Sequence, residues 1–98
     1  MLNVPDLEKL ARTLVSKRMP SVHLDGVVTE NTTNSDGEAA LRITLVLTPE
    51  SVDSITGEDA LKLLVDINDG LRREGDERFA IVEYATADDV PIEEDQAD

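Results

Sequence analysis

Hydrophobic positions near the start of the chain follow the period of an α-helix. Five of them follow the spacing i, i+3, i+4, i+7 and i+8: Leu7, Leu10, Ala11, Leu14 and Val15. This spacing places apolar side chains on one face of a helix. Lys17 and Arg18 complement the negative end of the helix dipole, and Pro20 prevents the helix from continuing. We therefore predict an amphipathic helix over residues 5–18.

Two later segments show the period of two that is typical of β-strands. Residues 22–30 are rich in β-branched side chains, and residues 31–37 are mostly residues that favour turns. Residues 39–47 then alternate strictly, with one face formed by Ala39, Leu41, Ile43, Leu45 and Leu47. The alternation predicts a strand with one buried face. Together the two segments predict a β-hairpin.

A second helix is predicted after a loop at residues 48–55. Thr56, followed three residues later by Asp59, approximates a capping box, and Gly75 ends the apolar pattern. The predicted apolar stripe between them consists of Ala60, Leu61, Leu64, Val65, Ile67 and Leu71. Residues 79–85 return to a period of two and predict a third strand.

Apolar periodicity is lost after the third strand. Residues 88–98 contain six acidic residues and no Lys or Arg, and Pro91 interrupts them. This composition is typical of a solvated segment without a packed core. We therefore predict a single α+β domain over residues 1–87 and an acidic disordered tail over residues 88–98.

The order helix, strand, strand, helix, strand predicts an α+β fold. We expect a two-layer sandwich in which two helices cover one face of a three-stranded sheet, with a right-handed crossover before the third strand.

This order of elements is similar in topology to that of small KH-like domains, including ribosome-binding factors. The resemblance implies a nucleic-acid-binding or ribosome-associated role. However, the stretch from Gly70 to Gly75 lacks the Gly-x-x-Gly with basic intervening residues by which KH domains clamp a nucleic-acid backbone.

Composition removes several classes of function. The chain has 98 residues, 32% of them charged, with a net charge of -13 and no Cys. Without Cys it has no disulfide, thiolate nucleophile or Cys-ligated metal. Only Phe79 and Tyr84 are aromatic, which disfavours recognition of single-stranded RNA by stacking. Because no apolar run approaches the roughly 18 residues of a membrane span, and the N-terminus lacks a signal-peptide pattern, we predict a cytoplasmic protein without membrane contact.

Candidate catalytic and metal-binding motifs are incomplete. His23 and Asp25 would share one face of the first strand, but two ligands do not make a metal site. The turn that ends at Gly37 resembles part of a calcium loop, whose twelfth position falls on Ile43 where a bidentate Glu is required. Five serines share a single histidine, so no nucleophile stands out. We predict no enzymatic activity, no cofactor and no bound metal.

The excess of acidic residues indicates a class of partner. Of the 22 acids, 16 precede residue 88, so residues 1–87 would still carry a net charge of -7. Such a surface repels phosphate and attracts basic proteins. We hypothesise a non-catalytic protein-interaction or regulatory domain, inhibitor- or antitoxin-like, that binds a basic protein. Solubility or a saline cytoplasm would explain the same charge. The candidate partner-binding residues are Asp88, Asp89, Glu93, Glu94 and Asp95.

One basic cluster supports an alternative hypothesis. Arg72, Arg73 and Arg78 surround the end of the second helix. In a KH-like nucleic-acid or ribosome-associated domain they would contact phosphate. Complementation of the helix dipole and pairing with neighbouring acids explain the same residues structurally. Given the net charge, we regard nucleic acid as the less favoured partner.

Three strands without closure leave two sheet edges. Residues 22–28 and residues 79–84 carry few charges, and either edge would pair with the same edge of a second copy. Asp25 and Glu83 would then approach their symmetry mates and repel them. We therefore expect at most a weak homodimer.

Overall fold

The computed structural model describes residues 2–89, and in this range it contains three α-helices and three strands. In chain order the elements are α1 (Val4–Arg18), β1 (Leu24–Thr33), β2 (Ala39–Leu47), α2 (Pro49–Ser54), α3 (Gly57–Arg73), β3 (Phe79–Thr86) and a short 3-10 helix (Ala87–Asp89). The predicted α+β class and the order α-β-β-α-β are confirmed. No helix among the described residues is both long and apolar enough to cross a membrane.

The helix α2 is an addition to the predicted elements, and it lies within the segment predicted to be a loop. Thr48 caps it, because its hydroxyl accepts a hydrogen bond from the backbone N–H of Ser51, and Pro49 occupies the first turn. Thr56 caps α3 in the same way, accepting a hydrogen bond of 3.0 Å from the backbone N–H of Asp59. The predicted start of the long helix is therefore confirmed.

The strands form one mixed sheet in the order β1-β2-β3. β1 and β2 pair antiparallel, whereas β2 and β3 pair parallel, so α2 and α3 lie in the crossover between them. β1 extends to Thr33, beyond the predicted end of the strand at residue 30, because its pairing with β2 continues as far as Ala39. β-branched threonines tolerate this extended backbone well.

The turn between β1 and β2 is correspondingly shorter than predicted. The side-chain oxygen of Asn34 accepts hydrogen bonds of 2.9 Å from the backbone N–H groups of Asp36 and Glu38. Gly37 has a φ of 83°, a conformation that glycine adopts at little cost. This segment is a hairpin turn, closed by its own side chains.

Alternate residues of β2 form the middle of the hydrophobic core. They pack with α1 and α3 in a cluster that includes Leu41, Ile43, Leu45, Leu47, Leu7, Ala11, Val15, Leu63, Ile67 and Leu71. The predicted buried face of this strand is confirmed from Leu41 to Leu47, and Leu45 is completely buried. Ala39, predicted on the same face, is exposed because it lies at the end of the strand beside the turn. Ala40 and Val46 on the opposite face are buried as well, so burial is not limited to one face.

The buried face of α3 differs from the predicted stripe. Leu61 is 62% exposed and Val65 is 50% exposed, whereas Leu63, which the prediction omitted, is completely buried. The buried residues of this helix are Leu63, Ile67, Gly70 and Leu71. Apolar residues occupy so much of the helix circumference that their spacing alone did not identify the part that faces the sheet.

The helices α1 and α3 run in opposite directions along each other. Later positions on α1 contact earlier positions on α3: Leu10 lies against Gly70, and Arg18 forms an ion pair of 2.8 Å with Asp66. A Cβ atom at Gly70 would lie only 3.0 Å from Cδ1 of Leu10. Gly70 thus permits the close approach of the two helices, which in turn fixes the side of α3 that faces outward.

Candidate functional site

Arg78 does not contribute to an exposed basic cluster. It is 6% exposed, and its guanidinium donates hydrogen bonds to both carboxylate oxygens of Asp76 at 3.0 and 2.6 Å. It also donates to the backbone carbonyl of Leu2 at 2.9 Å and to the side-chain oxygen of Asn31 at 2.7 Å. These contacts join the N-terminal segment, β1 and the loop before β3.

Asp76 is completely buried and accepts two backbone hydrogen bonds besides those of the guanidinium. The donors are the N–H groups of Leu2 and Arg78, each at 3.0 Å. The hydrogen bond from Arg78 is the largest influence, and it holds the pKa of Asp76 well below its usual range despite the opposing effect of burial. The pair is therefore ionised and structural.

The other two arginines of the predicted cluster face different surroundings. Arg72 donates to the backbone carbonyls of Asp76 and Arg78, at 3.1 and 3.0 Å. Arg73 instead lines a depression that it shares with Lys17 and Arg18. The structure thus does not bring the three arginines together around one phosphate-sized site.

His23 and Asp25 form an exposed pair, with Nε2 of the histidine 3.0 Å from a carboxylate oxygen of Asp25. No group of three or more potential metal ligands occurs among residues 2–89.

Of the predicted acidic binding residues, Asp88 is exposed and Asp89 ends the 3-10 helix. Glu93, Glu94 and Asp95 lie outside the described residues, as does most of the predicted tail.

Exposed apolar side chains concentrate on α3 and β3. Among the residues described, the large hydrophobic side chains that are exposed are Leu61, Val65, Phe79, Ile81 and, at the start of α1, Val4. The two on α3 are one helical turn apart and so share one face. The two on β3 are Phe79, 48% exposed, and Ile81, 37% exposed. They pair in register with Ala40 and Arg42, on the sheet face opposite the core.

Asn68 shows how α3 is placed beside β3. Its side-chain oxygen accepts a hydrogen bond of 2.9 Å from the N–H of Ala80, and its amide nitrogen donates at 3.3 Å to the carbonyl of Ala80. The peptide groups of Ala80 therefore point away from β2. Backbone alternation directs those of Val82 and Tyr84 to the same outer edge. No hydrogen bond to these outward groups is found from any other described residue.

We refer to this surface as the α3–β3 edge, and it consists of Leu61, Leu64, Val65, Ile81, Val82 and Tyr84. At one end, Tyr84 lines an apolar recess with Ala60 at the start of α3 and with Val52 and Ile55. Burial, and secondarily the negative charge of Asp59, raise the pKa of Tyr84. The phenol is thus neutral at physiological pH. Its hydroxyl oxygen is buried and has no hydrogen-bond partner within residues 2–89.

The charges nearest this edge are mainly acidic. Glu83 lies on β3, and Glu58 and Asp59 lie in the first turn of α3. The neighbouring bases are engaged: Lys62 contacts Glu58 at 2.8 Å, and Arg42 contacts both Glu30 and Glu83 at 3.3 and 3.7 Å. The ion pair with Lys62 lowers the pKa of Glu58.

Sequence reasoning missed this site because it assigned Leu61 and Val65 to the core. The apolar stripe of α3 is broader than the part of a helix that a sheet can cover. This excess width was the signal in the sequence that some of its apolar residues would be exposed.

No family model matches the chain, and comparisons with curated proteins and with solved structures also gave no match.

Proposed function

We propose that this chain is a non-catalytic, intracellular protein-interaction domain that binds a basic protein through its α3–β3 edge. The observation that carries the proposal is the exposure of Leu61 and Val65 beside a strand edge where no described residue hydrogen-bonds to the outward backbone groups of Val82 and Tyr84. An apolar surface next to unpaired strand groups is typical of a protein-binding site.

Acidic residues supply the preference for a basic partner. The chain has a net charge of -13, which accelerates the approach of a cationic protein at low ionic strength. The apolar residues of the edge would supply most of the affinity, because exposed ion pairs contribute little once formed.

The nucleic-acid alternative has less support. Arg78 is enclosed with Asp76, and Arg72 already donates to two carbonyls. A phosphate contact would then depend mainly on Arg73, in a depression that also contains Asp66 and Asp69. Those carboxylates oppose binding of a polyanion.

Affinity capture from native lysate, at low and moderate salt, tests this proposal. We expect a basic protein that is retained by the wild type, weakened by salt and lost with Leu61→Glu. Val4→Glu is the matched control, because Val4 is 59% exposed but lies on α1. Recovery of RNA or DNA in place of a protein, or equal loss in both variants, would contradict the proposal.

A further inference from the structure

We propose that the α3–β3 edge binds an extended basic segment of its partner as a fourth strand, hydrogen-bonded to β3. This inference rests on the proposed function and specifies its mode of binding. A strand that joins a sheet edge obtains affinity from backbone hydrogen bonds and specificity from alternate side chains. The outward groups of Val82 and Tyr84 are the groups available for this pairing.

Asn68 sets one limit of the added strand. Its amide bonds to both the N–H and the carbonyl of Ala80, the two groups that a neighbouring strand would otherwise engage. An incoming backbone therefore begins to pair beyond Ala80, at Val82. The resulting ladder is short and covers Val82 and Tyr84, so side chains must provide much of the selectivity.

The two sides of the edge predict the residue pattern of the ligand. On the core side, Leu61, Leu64 and Val65 share a face of α3 with Asn68, the residue that contacts β3. On the opposite side, the added strand would pass beside Ile81 and Glu83. Side chains of a strand alternate between these two sides. The fitting segment thus alternates apolar residues, which contact α3, with Lys or Arg residues, which approach Glu83.

A recess next to Tyr84 extends the apolar side of this site. Its volume is about 250 Å³, and it is lined by Val52, Ile55, Ala60 and Tyr84 together with Thr56 and Gly57. An apolar side chain of the ligand would occupy it. Asp59 lies in the first turn of α3, next to Ala60, which lines the recess, so a basic residue at this end of the ligand would be favoured as well.

A second copy of the chain fits this edge less well than a basic segment. Antiparallel pairing of two β3 strands would bring the two Glu83 side chains close to each other. Each copy would also carry its own net charge of -13. Like charges opposite each other in a sheet are destabilising, whereas a Lys or Arg beside Glu83 is favoured.

The first test uses a synthetic peptide of about eight alternating valine and lysine residues with blocked ends. Amide hydrogen exchange of the full chain, followed by NMR, should slow at Val82 and Tyr84 when the peptide is added, because hydrogen-bonded amides exchange through opening. A control peptide, in which two central valines are replaced by proline, keeps the charge but cannot pair as a strand. It should leave the exchange of both residues unchanged.

The second test removes one donor from the edge. The N–H of Val82 points outward, so Val82→Pro leaves the pairing with β2 in place, and Val82→Ala is the control for the lost side chain. We expect Val82→Pro to bind the valine–lysine peptide about tenfold more weakly than Val82→Ala, the effect of one backbone hydrogen bond. The NMR spectra of both free variants should show that the fold is retained.

Three outcomes would overturn the inference: equal binding of the two peptides, slowed exchange at β1 instead of β3, and equal affinities of Val82→Pro and Val82→Ala. Pairing between copies would appear as concentration-dependent protection without peptide, and would also overturn it. These results are distinguishable from failure of the proposed function. A basic protein captured equally by Val82→Pro and Val82→Ala would keep the function and reject strand addition.

Discussion

Two acid–base pairs in this chain have the same sequence spacing and opposite environments. Asp76 and Arg78, like His23 and Asp25, are separated by one residue, and each pair is within hydrogen-bond distance. Asp76 and Arg78 are buried, and they contact the backbone of Leu2 as well as each other. The side chains of the other pair are exposed, with 71% of the His23 side chain accessible.

The difference lies in what each pair connects. The buried pair joins the N-terminal segment, β1 and the loop before β3, three parts of the chain that are distant in sequence. The exposed pair connects two neighbours at the start of one strand. A buried charge without its partner retains a large desolvation cost, whereas water replaces an exposed partner at little cost.

The largest effect is expected from Asp76→Asn. The substitution removes the negative charge but leaves the Arg78 guanidinium buried, so we predict a loss of about 3–5 kcal/mol in the free energy of unfolding. Urea denaturation measures this loss. Glu77→Gln is the matched control, because it makes the same change of charge at an exposed neighbour. A loss no greater in Asp76→Asn than in Glu77→Gln would show that the buried pair does not stabilise the fold.

Truncation of a buried apolar side chain gives a loss of stability that does not depend on charge and can be compared with that of Asp76→Asn. Leu45 is completely buried in the central strand. Leu45→Ala should lower the free energy of unfolding by about 2–5 kcal/mol, because the truncated side chain leaves a cavity. Thermal or urea denaturation measures this value. A midpoint close to that of the wild type would mean that the core closes around the missing group.

These residues also show what the sequence could predict. Strict alternation identified β2 and its buried leucines, because a hydrophobic period of two is compatible with a strand and not with a helix. Thr56 identified the start of α3, because capping is local. The outward face of α3 was not predictable, since it depends on the approach of Leu10 to Gly70, sixty residues apart in the chain.

The same distinction applies to the candidate sites. Arg78 was grouped with Arg72 and Arg73 by proximity in sequence, but Leu2 and Asn31 enclose it through contacts across the fold. Asn68 occupies the outward groups of Ala80 on β3, and only the packing of α3 determines its position there. Local patterns therefore predicted the elements, while long-range packing decided which side chains remained exposed.

Acid titration is expected to act on the buried pair. Arg78 holds the pKa of Asp76 well below its usual range. The resulting stability is fully present above the unfolded pKa of about 3.9 and is lost as the pH falls from there through the lower folded value. The urea midpoint of the wild type should therefore decrease below about pH 4, and that of Asp76→Asn should decrease less. Parallel pH dependences would contradict the assignment to Asp76.

The smallest effect is expected for the exposed pair, measured by a double-mutant cycle of His23→Ala and Asp25→Ala. Both side chains are accessible to water, so their coupling energy should be below about 1 kcal/mol and should decrease with added salt. The backbone contacts at this position remain in the variants, because the N–H of His23 donates to the Ser51 hydroxyl at 2.7 Å whatever its side chain. Each single substitution therefore leaves the backbone at the start of β1 intact, and the cycle isolates the side-chain pair.

A coupling energy above about 2 kcal/mol would require a pair that is held rigidly or shielded from water. In that case, exposure to solvent would not explain the difference between this pair and the pair of Asp76 and Arg78.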